Sequence, residues 1–423
     1  MRRRRSASAV GLVVACLAPV GATGCGSSHA AAELPRSFCS EIVRGKDSPR
    51  FLVVTDLPLR GNFRETTVAM AAAARYVVEN RGFRAGKYAV GFQSCDDSTA
   101  DAQNFTIERC TANAKAYAAN EDVIGIVGTF NSDCARALVP VVDVAKGGPL
   151  AVVSPAATDP ALTHVYPGAN PGEPKSFYPS GVRNFVRVAP PDDVEWAADA
   201  ILIRSLGGRR VFVLTDREPY GSNAAGGFRQ VARSLGLVVA GTAFWDEHAH
   251  SYAALAARVA AQHPEAVYVS ALWQLNGPAV VAAIRIALPD TPVVANQGFA
   301  SLPPQRDTSL DGVYVTTPGL EPVDFPPKGR AIINRFGPGQ FPGFGPAYAA
   351  QAMDVLLDAI ARSDGSRGDV VKQLAATSVK NGYIGSFRFD ANGDPTANPI
   401  TVLRIEKGRL RRNRVIQASV AGR

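Results

Sequence analysis

From residue 50 onward, short runs of apolar, β-branched residues alternate with amphipathic helical stretches, and this alternation restricts the fold more than any other feature. In the first half of the chain the apolar runs are FLVVTD, YAVGF, VIGIVGTF and LAVVSP. Continuous runs of this kind are typical of strands buried on both faces, and the intervening helices imply right-handed βαβ units. The sequence therefore predicts an α/β fold built on parallel sheets.

The pattern starts again at residue 210, which predicts a second lobe with the same plan. RFLVVTDLPLRG at residues 50–61 and RVFVLTDREPYG at residues 210–221 share an arginine, an apolar run, Thr-Asp and a final glycine at identical spacing. In this register Arg60 and Tyr220 are equivalent, each directly before the glycine. Ligands of doubly wound sheets bind beyond the carboxyl ends of the strands, so we expect these two residues to lie across a shared cleft.

Two further stretches predict irregular structure. Residues 164–184 are rich in proline and glycine, which indicates a surface excursion between the two copies. The C-terminal stretch SFRFDANGDPTANPITVLRIEKGRL predicts a β-hairpin that turns at Asn392-Gly393.

The first 24 residues have the pattern of an export signal peptide. Four arginines precede an apolar run that is too short and too weakly apolar for a membrane span. Ala22-Thr23-Gly24-Cys25 resembles a bacterial lipobox, although Leu or Val is commoner at the position of Ala22. The pattern predicts a lipid anchor on Cys25 and a tether over residues 25–48. The alternatives are an ordinary cleaved signal with a chance cysteine, or a twin-arginine signal.

Charge and cysteine content exclude several classes of function. Of the 45 basic residues four belong to the signal, which leaves 41 basic against 37 acidic residues, a net charge of +4. No Lys/Arg block follows, which argues against a nucleic-acid partner. An even number of cysteines beyond the anchor predicts two disulfides in an exported protein; these are Cys39, Cys95, Cys110 and Cys134. Their spacing is not typical of a metal site, and we expect no cofactor.

Four segments, in their order and spacing, resemble the type I periplasmic solute-binding proteins, specifically the leucine/isoleucine/valine-binding branch of the ABC importers. They are GTFNS at 128–132, SPAATDPALT at 154–163, TDREPYG at 215–221 and FDANGD at 389–394. The similarity spans roughly residues 49–410.

This resemblance implies two Rossmann-like lobes with parallel sheets, joined by a three-strand hinge. The first lobe would comprise residues 49–186 and 318–384, and the second residues 187–317 and 385–415. It also implies a binding protein and not an enzyme. Such a protein delivers a small, carboxylate-bearing, amino-acid-like ligand to an importer permease, either in the periplasm or lipid-anchored on the outer face of the cytoplasmic membrane.

Site residues follow from the resemblance position by position. Ser132 matches the hydroxyl that binds the ligand's carboxylate, and Ala156 and Thr158 match the residues that hold its carboxylate and ammonium. Tyr220 matches the tyrosine that closes over the ligand, and a further aromatic residue falls near Trp273.

The position of Ser132 supports this assignment physically. It stands where a helix is predicted to begin, so unpaired N–H groups and the positive end of the helix dipole would favour an anionic group. We expect Asn131 and Asp133 to cap the helix. Asn131 or Ser132 could equally be a plain N-cap with no ligand.

Gln297 departs from the family pattern, which places an acid there to pair with the ligand's ammonium. Either another Asp or Glu supplies the charge, or the ligand lacks a free ammonium, as an amide, keto acid or aromatic acid does. We expect the second alternative, and with it little affinity for leucine, isoleucine or valine. Arg60 is a candidate contact for a second anionic group; alternatively it is a surface arginine paired with Glu65 or Asp56.

The resemblance also implies a disulfide between Cys95 and Cys134, which leaves Cys39 to pair with Cys110. Two other functions are alternatives to that of an importer's binding protein. A sensory ectodomain would share the fold and cleft. A hydrolase built on Ser132 has no support in the spacing, because GxSxG, HExxH, Walker and GxGxxG motifs are absent from the sequence.

Overall fold

The computed structural model describes residues 30–166, 169–339 and 345–419. The predicted export signal and the lipid-anchor cysteine, Cys25, lie outside these residues. No helix in the described ranges combines the length and the apolar character needed to cross a membrane.

Strands and helices alternate through most of the chain, as the sequence predicts. The strands are β1 (Phe51–Leu57), β2 (Arg84–Ala85), β3 (Tyr88–Asp96), β4 (Ser98–Thr99), β5 (Asn104–Phe105), β6 (Val123–Gly128), β7 (Ala151–Ser154), β8 (Phe185–Arg187), β9 (Arg210–Thr215), β10 (Val238–Phe244), β11 (Ala266–Ser270), β12 (Val293–Ala295), β13 (Tyr314–Pro318), β14 (Ser378–Val379), β15 (Phe387–Arg388), β16 (Pro399–Glu406) and β17 (Arg409–Gln417). The helices are α1 (Arg64–Asn80), α2 (Ile107–Ala119), α3 (Ser132–Asp143), α4 (Asp192–Ser205), α5 (Pro219–Ser234), α6 (Ala253–Ala260), α7 (Gly277–Ala287), α8 (Pro327–Phe336), α9 (Pro346–Arg362) and α10 (Arg367–Ala375).

These strands form two large sheets, one in each lobe. The first has the order β2-β3-β1-β6-β7-β8, and the second the order β10-β9-β11-β12-β13-β16-β17. In both, the central strands are parallel, and antiparallel pairing occurs at β2 in the first sheet and at β16 and β17 in the second. The fold is therefore the predicted two-lobed α/β arrangement with parallel-rich sheets.

Helices cover both faces of each sheet, which explains why the strands are continuously apolar. In the first lobe α1 and α9 pack on one face, and α2 and α3 pack on the other. In the second lobe α4 and α5 cover one face, and α6 and α7 the opposite one. The strand β1 is buried along its whole length.

The chain passes between the two sheets three times. It leaves the first sheet after β8 and enters the second lobe at α4. It returns after β13 to α8 and α9, and it passes over again between β15 and β16. The third passage contacts the other two, because the carbonyl of Gly393 accepts the N–H of Arg187 at 3.1 Å and the carbonyl of Pro399 accepts that of Gly319 at 2.8 Å.

The repeated glycines have a packing reason that the sequence comparison does not show. Gly61 has a φ of +70°, and a Cβ there would lie 1.6 Å from the carbonyl oxygen of Gln103. A Cβ at Gly221 would lie 2.0 Å from Oδ1 of Asp216. Each glycine thus allows the segment after the first strand of its lobe to approach neighbouring chain closely.

The predicted C-terminal hairpin turns at a different place. The long antiparallel pair is β16 with β17, and the chain reverses at Lys407-Gly408, both of which have positive φ. Asn392-Gly393 forms only a tight turn, between the bridged residues Phe389 and Pro395. Strand β16 pairs with β13 on one side inside the second sheet. Its hairpin partner on the other side is β17, the strand that follows it in the chain.

Both predicted disulfide pairings are wrong. The structure joins Cys39 to Cys95 and Cys110 to Cys134, with Cα–Cα distances of 4.0 and 5.4 Å. Residues 38–43 run antiparallel beside β3, which places Cys39 opposite Cys95. Helices α2 and α3 pack together, so the cysteines in their first turns meet. Cys134 does tie down the start of α3, but its partner is in α2.

Candidate functional site

Helix α3 begins at Ser132, at the carboxyl end of β6. Asn131 takes the N-cap position with extended backbone, but its side chain makes no capping hydrogen bond, contrary to expectation. Its Oδ1 is buried and has no partner among the described residues. Asp133 is exposed in the first turn, where its negative charge interacts favourably with the positive end of the helix dipole. The Asn131 side chain therefore does not cap the first N–H groups of α3.

The turn after β7 packs directly against this junction. Ser154 Oγ donates to the carbonyl of Thr129 at 2.9 Å and accepts the N–H groups of Ala156 and Ala157 at 3.2 and 2.8 Å. Ser132 Oγ accepts the N–H of Asp159 at 3.2 Å. The structure thus places Ser132 against the turn that carries Ala156 and Thr158.

Asp192 connects this turn to the second lobe. Its N–H donates to the carbonyl of Thr158 at 3.0 Å, and its Oδ1 accepts from Nε2 of Gln297 at 3.1 Å. Burial raises the pKa of Asp192 to about 6, and the hydrogen bond from the Thr158 side chain offsets this in part. A carboxylate therefore lies beside Gln297, the residue that stands where the family pattern has an acid.

The remaining polar groups on the second-lobe side also converge near Gln297. Its backbone N–H donates to Oε1 of Glu195 at 2.8 Å, and the preceding Asn296 donates from Nδ2 to the hydroxyl of Tyr220 at 3.1 Å. Burial and the nearby Glu195 carboxyl raise the pKa of Tyr220 well above its usual value, so the phenol stays neutral. Tyr220 and Gln297 thus lie next to each other on the second-lobe side.

Trp273 and Arg60 lie further out. Trp273 packs against the second-lobe core and donates from Nε1 to Ser301 Oγ at 3.2 Å. Arg60 is half exposed and pairs with Asp96, with 2.9 Å between Nε and Oδ2. Arg60 therefore pairs with neither of the two expected residues, Glu65 and Asp56. Asp56 is buried and accepts hydrogen bonds from Asn113 and Tyr117.

Sequence reasoning missed an ion-pair network that joins the passages between lobes. Arg187 is fully buried, and its Nε lies 2.7 Å from Oδ1 of Asp394, the last residue of FDANGD. Its guanidinium also donates to the carbonyls of Ala157 and Asp159 and to Thr163 Oγ1. His164 lies 3.0 Å from Asp193 and 3.2 Å from Asp394. This network joins the turn after β7 to two of the three passages.

Asp192 was also missed, and a signal for it exists in the sequence. The pair Asp192-Asp193 directly follows Pro190-Pro191, where the chain leaves the first lobe and α4 begins. Acids in the first turn of a helix are common for dipole reasons alone, so the pattern does not single out a ligand contact. The place of Asp192 beside Thr158 and Gln297 is visible only in the structure.

Two lobes of similar plan, three passages between them, and polar side chains that meet at the passages define a two-lobed solute-binding protein. The particular family follows from the sequence. Residues 57–409 match the model of the periplasmic binding protein family, and the chain belongs to this family. No curated protein matches the sequence.

Several solved structures share the fold. A leucine-binding protein, LivK, from Thermotoga maritima is 21% identical, with a TM-score of 0.63 over 87% of this chain and 99% of that one. LivJ from Streptococcus pneumoniae in complex with isoleucine is 16% identical, with a TM-score of 0.63 over 87% and 99%. A solute-binding protein from R. palustris in complex with benzoate is 16% identical, with a TM-score of 0.62 over 88% and 98%. At these identities the similarity establishes the fold alone.

Proposed function

We propose that this protein is an extracytoplasmic, lipid-anchored solute-binding protein that captures a small, amino-acid-like ligand bearing a carboxylate and delivers it to the permease of an ABC importer. Membership of the periplasmic binding protein family supports binding outside the cytoplasm as the activity. The export signal and lipobox-like motif at Cys25 support the anchor. Ligand, permease and anchor are each open to separate tests.

One observation carries the ligand proposal: the polar groups near the passages differ in chemical character between the two lobes. On the first-lobe side, the Ser132 hydroxyl and the first N–H groups of α3, which the Asn131 side chain does not cap, are donors that suit a carboxylate. On the second-lobe side, Asp192, Gln297 and Tyr220 present a carboxylate, an amide and a phenol. A ligand with a carboxylate at one end and a hydrogen-bond donor at the other matches both.

The carboxylate of Asp192 argues against the expectation, drawn from Gln297, of a ligand without a free ammonium. An ammonium opposite Gln297 alone would be buried without a counter-charge, which costs several kcal/mol. Because Asp192 accepts from the Gln297 side chain at 3.1 Å, an ammonium placed there has an acid within reach. The geometry thus supports a ligand with a free amino group over an amide, keto acid or aromatic acid.

The test compares ligands that differ only in this group. The compound that copurifies is released by denaturation and identified by mass spectrometry. Stripped protein is then titrated calorimetrically with leucine, with the keto acid of the same carbon skeleton, and with benzoate. We expect the amino acid to bind at least about thirtyfold more tightly than its keto acid, equivalent to about 2 kcal/mol for an unpaired buried charge. Preferential binding of the keto acid or benzoate would contradict the assignment of Asp192, and absence of any bound small molecule would contradict the function.

We further propose that the lobe limits expected from the sequence, 49–186 with 318–384 and 187–317 with 385–415, bound the units that close on the ligand. The passages after β8 and β13 support the first two limits, whereas the third passage, between β15 and β16, lies a few residues after 385. Small-angle scattering should show a smaller radius of gyration after the copurifying compound is added. An unchanged radius at saturation would argue against closure of these units.

A further inference from the structure

Two acids below the Gln297 turn share a single hydroxyl group. Glu195 and Asp199 lie one turn apart on α4 and are 1% and 0% exposed. Thr316 Oγ1, on β13, lies 3.1 Å from Oε1 of Glu195 and 2.7 Å from Oδ1 of Asp199. Both distances are hydrogen bonds by ordinary criteria.

Counting hydrogens shows that these acids are not both ionised. A threonine hydroxyl has one hydrogen to donate, and an ionised carboxylate can only accept. Two carboxylates around one hydroxyl would leave one contact without a hydrogen between its oxygens. At least one acid must therefore carry a proton and donate it to Thr316 Oγ1.

The other contacts indicate which acid carries it. Oε1 of Glu195 already accepts the backbone N–H of Gln297 at 2.8 Å, which favours Glu195 as the acceptor. Asp199 then donates to Thr316, Thr316 donates to Glu195, and Glu195 holds the N–H of Gln297. Every hydrogen in this chain has one donor and one acceptor.

The charged surroundings are consistent with a retained proton. Among the described residues, no Lys, Arg or His forms a salt bridge with either acid. The titratable groups that act on them are Asp192 on α4, Tyr268 on β11 and Tyr220 on α5. Burial raises the pKa of Asp199 to about 7 and raises that of Glu195 well above its usual value, with Asp199 and Asp192 adding to the effect on Glu195.

We propose that Glu195, Thr316 and Asp199 form a proton-binding unit, and that its proton positions the Gln297 turn at the ligand cleft. Glu195 is thus a positioning residue for the turn, and Asp199 is the residue that titrates. When the proton leaves, two carboxylates face one hydroxyl group. Their repulsion moves Glu195 away from Thr316, and its hydrogen bond to the Gln297 N–H is weakened. The consequence for ligand binding rests on the proposed function, but the proton itself can be tested without any ligand.

Amide hydrogen exchange at Gln297 reports on this unit directly. Wild-type protein is freed of bound compound by unfolding and refolding, and protection of residues 295–300 is followed from pH 6 to 9 after correction for the intrinsic exchange rate. We expect protection at Gln297 to fall by up to about tenfold for each pH unit above the pKa of the pair. Constant protection in the wild type would overturn the proposal.

Two variants and one control separate the proton from general packing effects. Asp199→Asn keeps a donor to Thr316 permanently, so protection at Gln297 should become independent of pH. Thr316→Val removes the shared hydroxyl and should lower protection throughout, and Thr316→Ser should restore the wild-type profile. Asp56→Asn, another buried acid with a pKa raised to about 6, lies in the first lobe and should leave the Gln297 profile unchanged. The proposal fails if Asp199→Asn titrates like the wild type or if Asp56→Asn abolishes the effect.

Discussion

Asp192 makes contact with Gln297 and has a pKa that lies close to physiological pH. Its folded pKa of about 6 is above the ordinary value of 3.8, so the free protein gains a proton there as pH falls through 6. A protonated Asp192 offers no counter-charge to an ammonium.

Affinity for the copurifying amino-acid-like compound should therefore fall about tenfold from pH 7 to pH 5, as follows from one proton bound with a pKa of about 6. Calorimetry at a series of pH values measures this. Asp192→Asn should bind more weakly at pH 7 and lose the pH dependence. Asp133→Asn, which changes an exposed acid at the start of α3, serves as the matched control and should keep it. A wild-type affinity that is flat between pH 5 and 7 would argue against a role for Asp192.

Asp394 illustrates what a buried ion pair contributes to stability. Replacing Asp394 with Asn would leave the guanidinium of Arg187, which is fully buried, without an ionised partner. We expect Asp394→Asn to lower the free energy of unfolding by roughly 3–5 kcal/mol. Arg60→Ala breaks a half-exposed pair and should cost no more than about 1 kcal/mol. Urea unfolding measures both, and equal losses would show that burial of the Arg187 pair is not the cause.

At the scale of secondary-structure elements, the two disulfides hold different parts of the first lobe. Cys39–Cys95 fastens the segment before β1 to β3, whereas Cys110–Cys134 fastens α2 to the first turn of α3. Only the second lies next to Ser132. Stability and ligand binding should therefore respond differently to the loss of each bond.

Replacing Cys110 and Cys134 by serine should lower the free energy of unfolding by roughly 3.5 kcal/mol, the loop-closure value for a separation of 24 residues. It should also weaken ligand binding, because the start of α3 is then less constrained. Replacing Cys39 and Cys95 should cost roughly 4 kcal/mol for a separation of 56 residues but leave affinity unchanged. Urea unfolding and calorimetry give the two quantities. Equal effects on affinity would contradict a specific role for Cys134.

The sequence predicts individual strands and helices better than it predicts which of them pair with one another. Strands β1 and β9 follow from continuous apolar runs, because such runs are stable only between two layers of helices. The pairing of β16 with both β13 and β17, and the meeting of Cys110 with Cys134, depend on contacts distant in sequence. Local pattern carries no information on such contacts. Asp192 was missed for the same reason, since its role is visible only through Thr158 and Gln297.

At the scale of the whole molecule, the proposed anchor determines where the protein acts. If Cys25 carries a diacylglycerol, Cys25→Ser should release the protein from the membrane fraction of the producing cells. Cys16→Ser, a change within the predicted signal, should leave it attached. Fractionation followed by immunoblotting measures this, and continued membrane attachment of Cys25→Ser would show that the lipobox-like motif is not the anchor.

The central claim is that the junction of α3 with the turn after β7 binds the carboxylate of a small ligand between the lobes. The most direct measurement is the calorimetric affinity of the copurifying compound for the wild type and for Ser132→Ala, with Ser234→Ala at the exposed end of α5 as the control. Losing a hydrogen bond to a buried charged group should weaken binding by roughly 1–3 kcal/mol for Ser132→Ala, while Ser234→Ala should match the wild type. An unchanged affinity for Ser132→Ala would contradict the claim and place the ligand elsewhere.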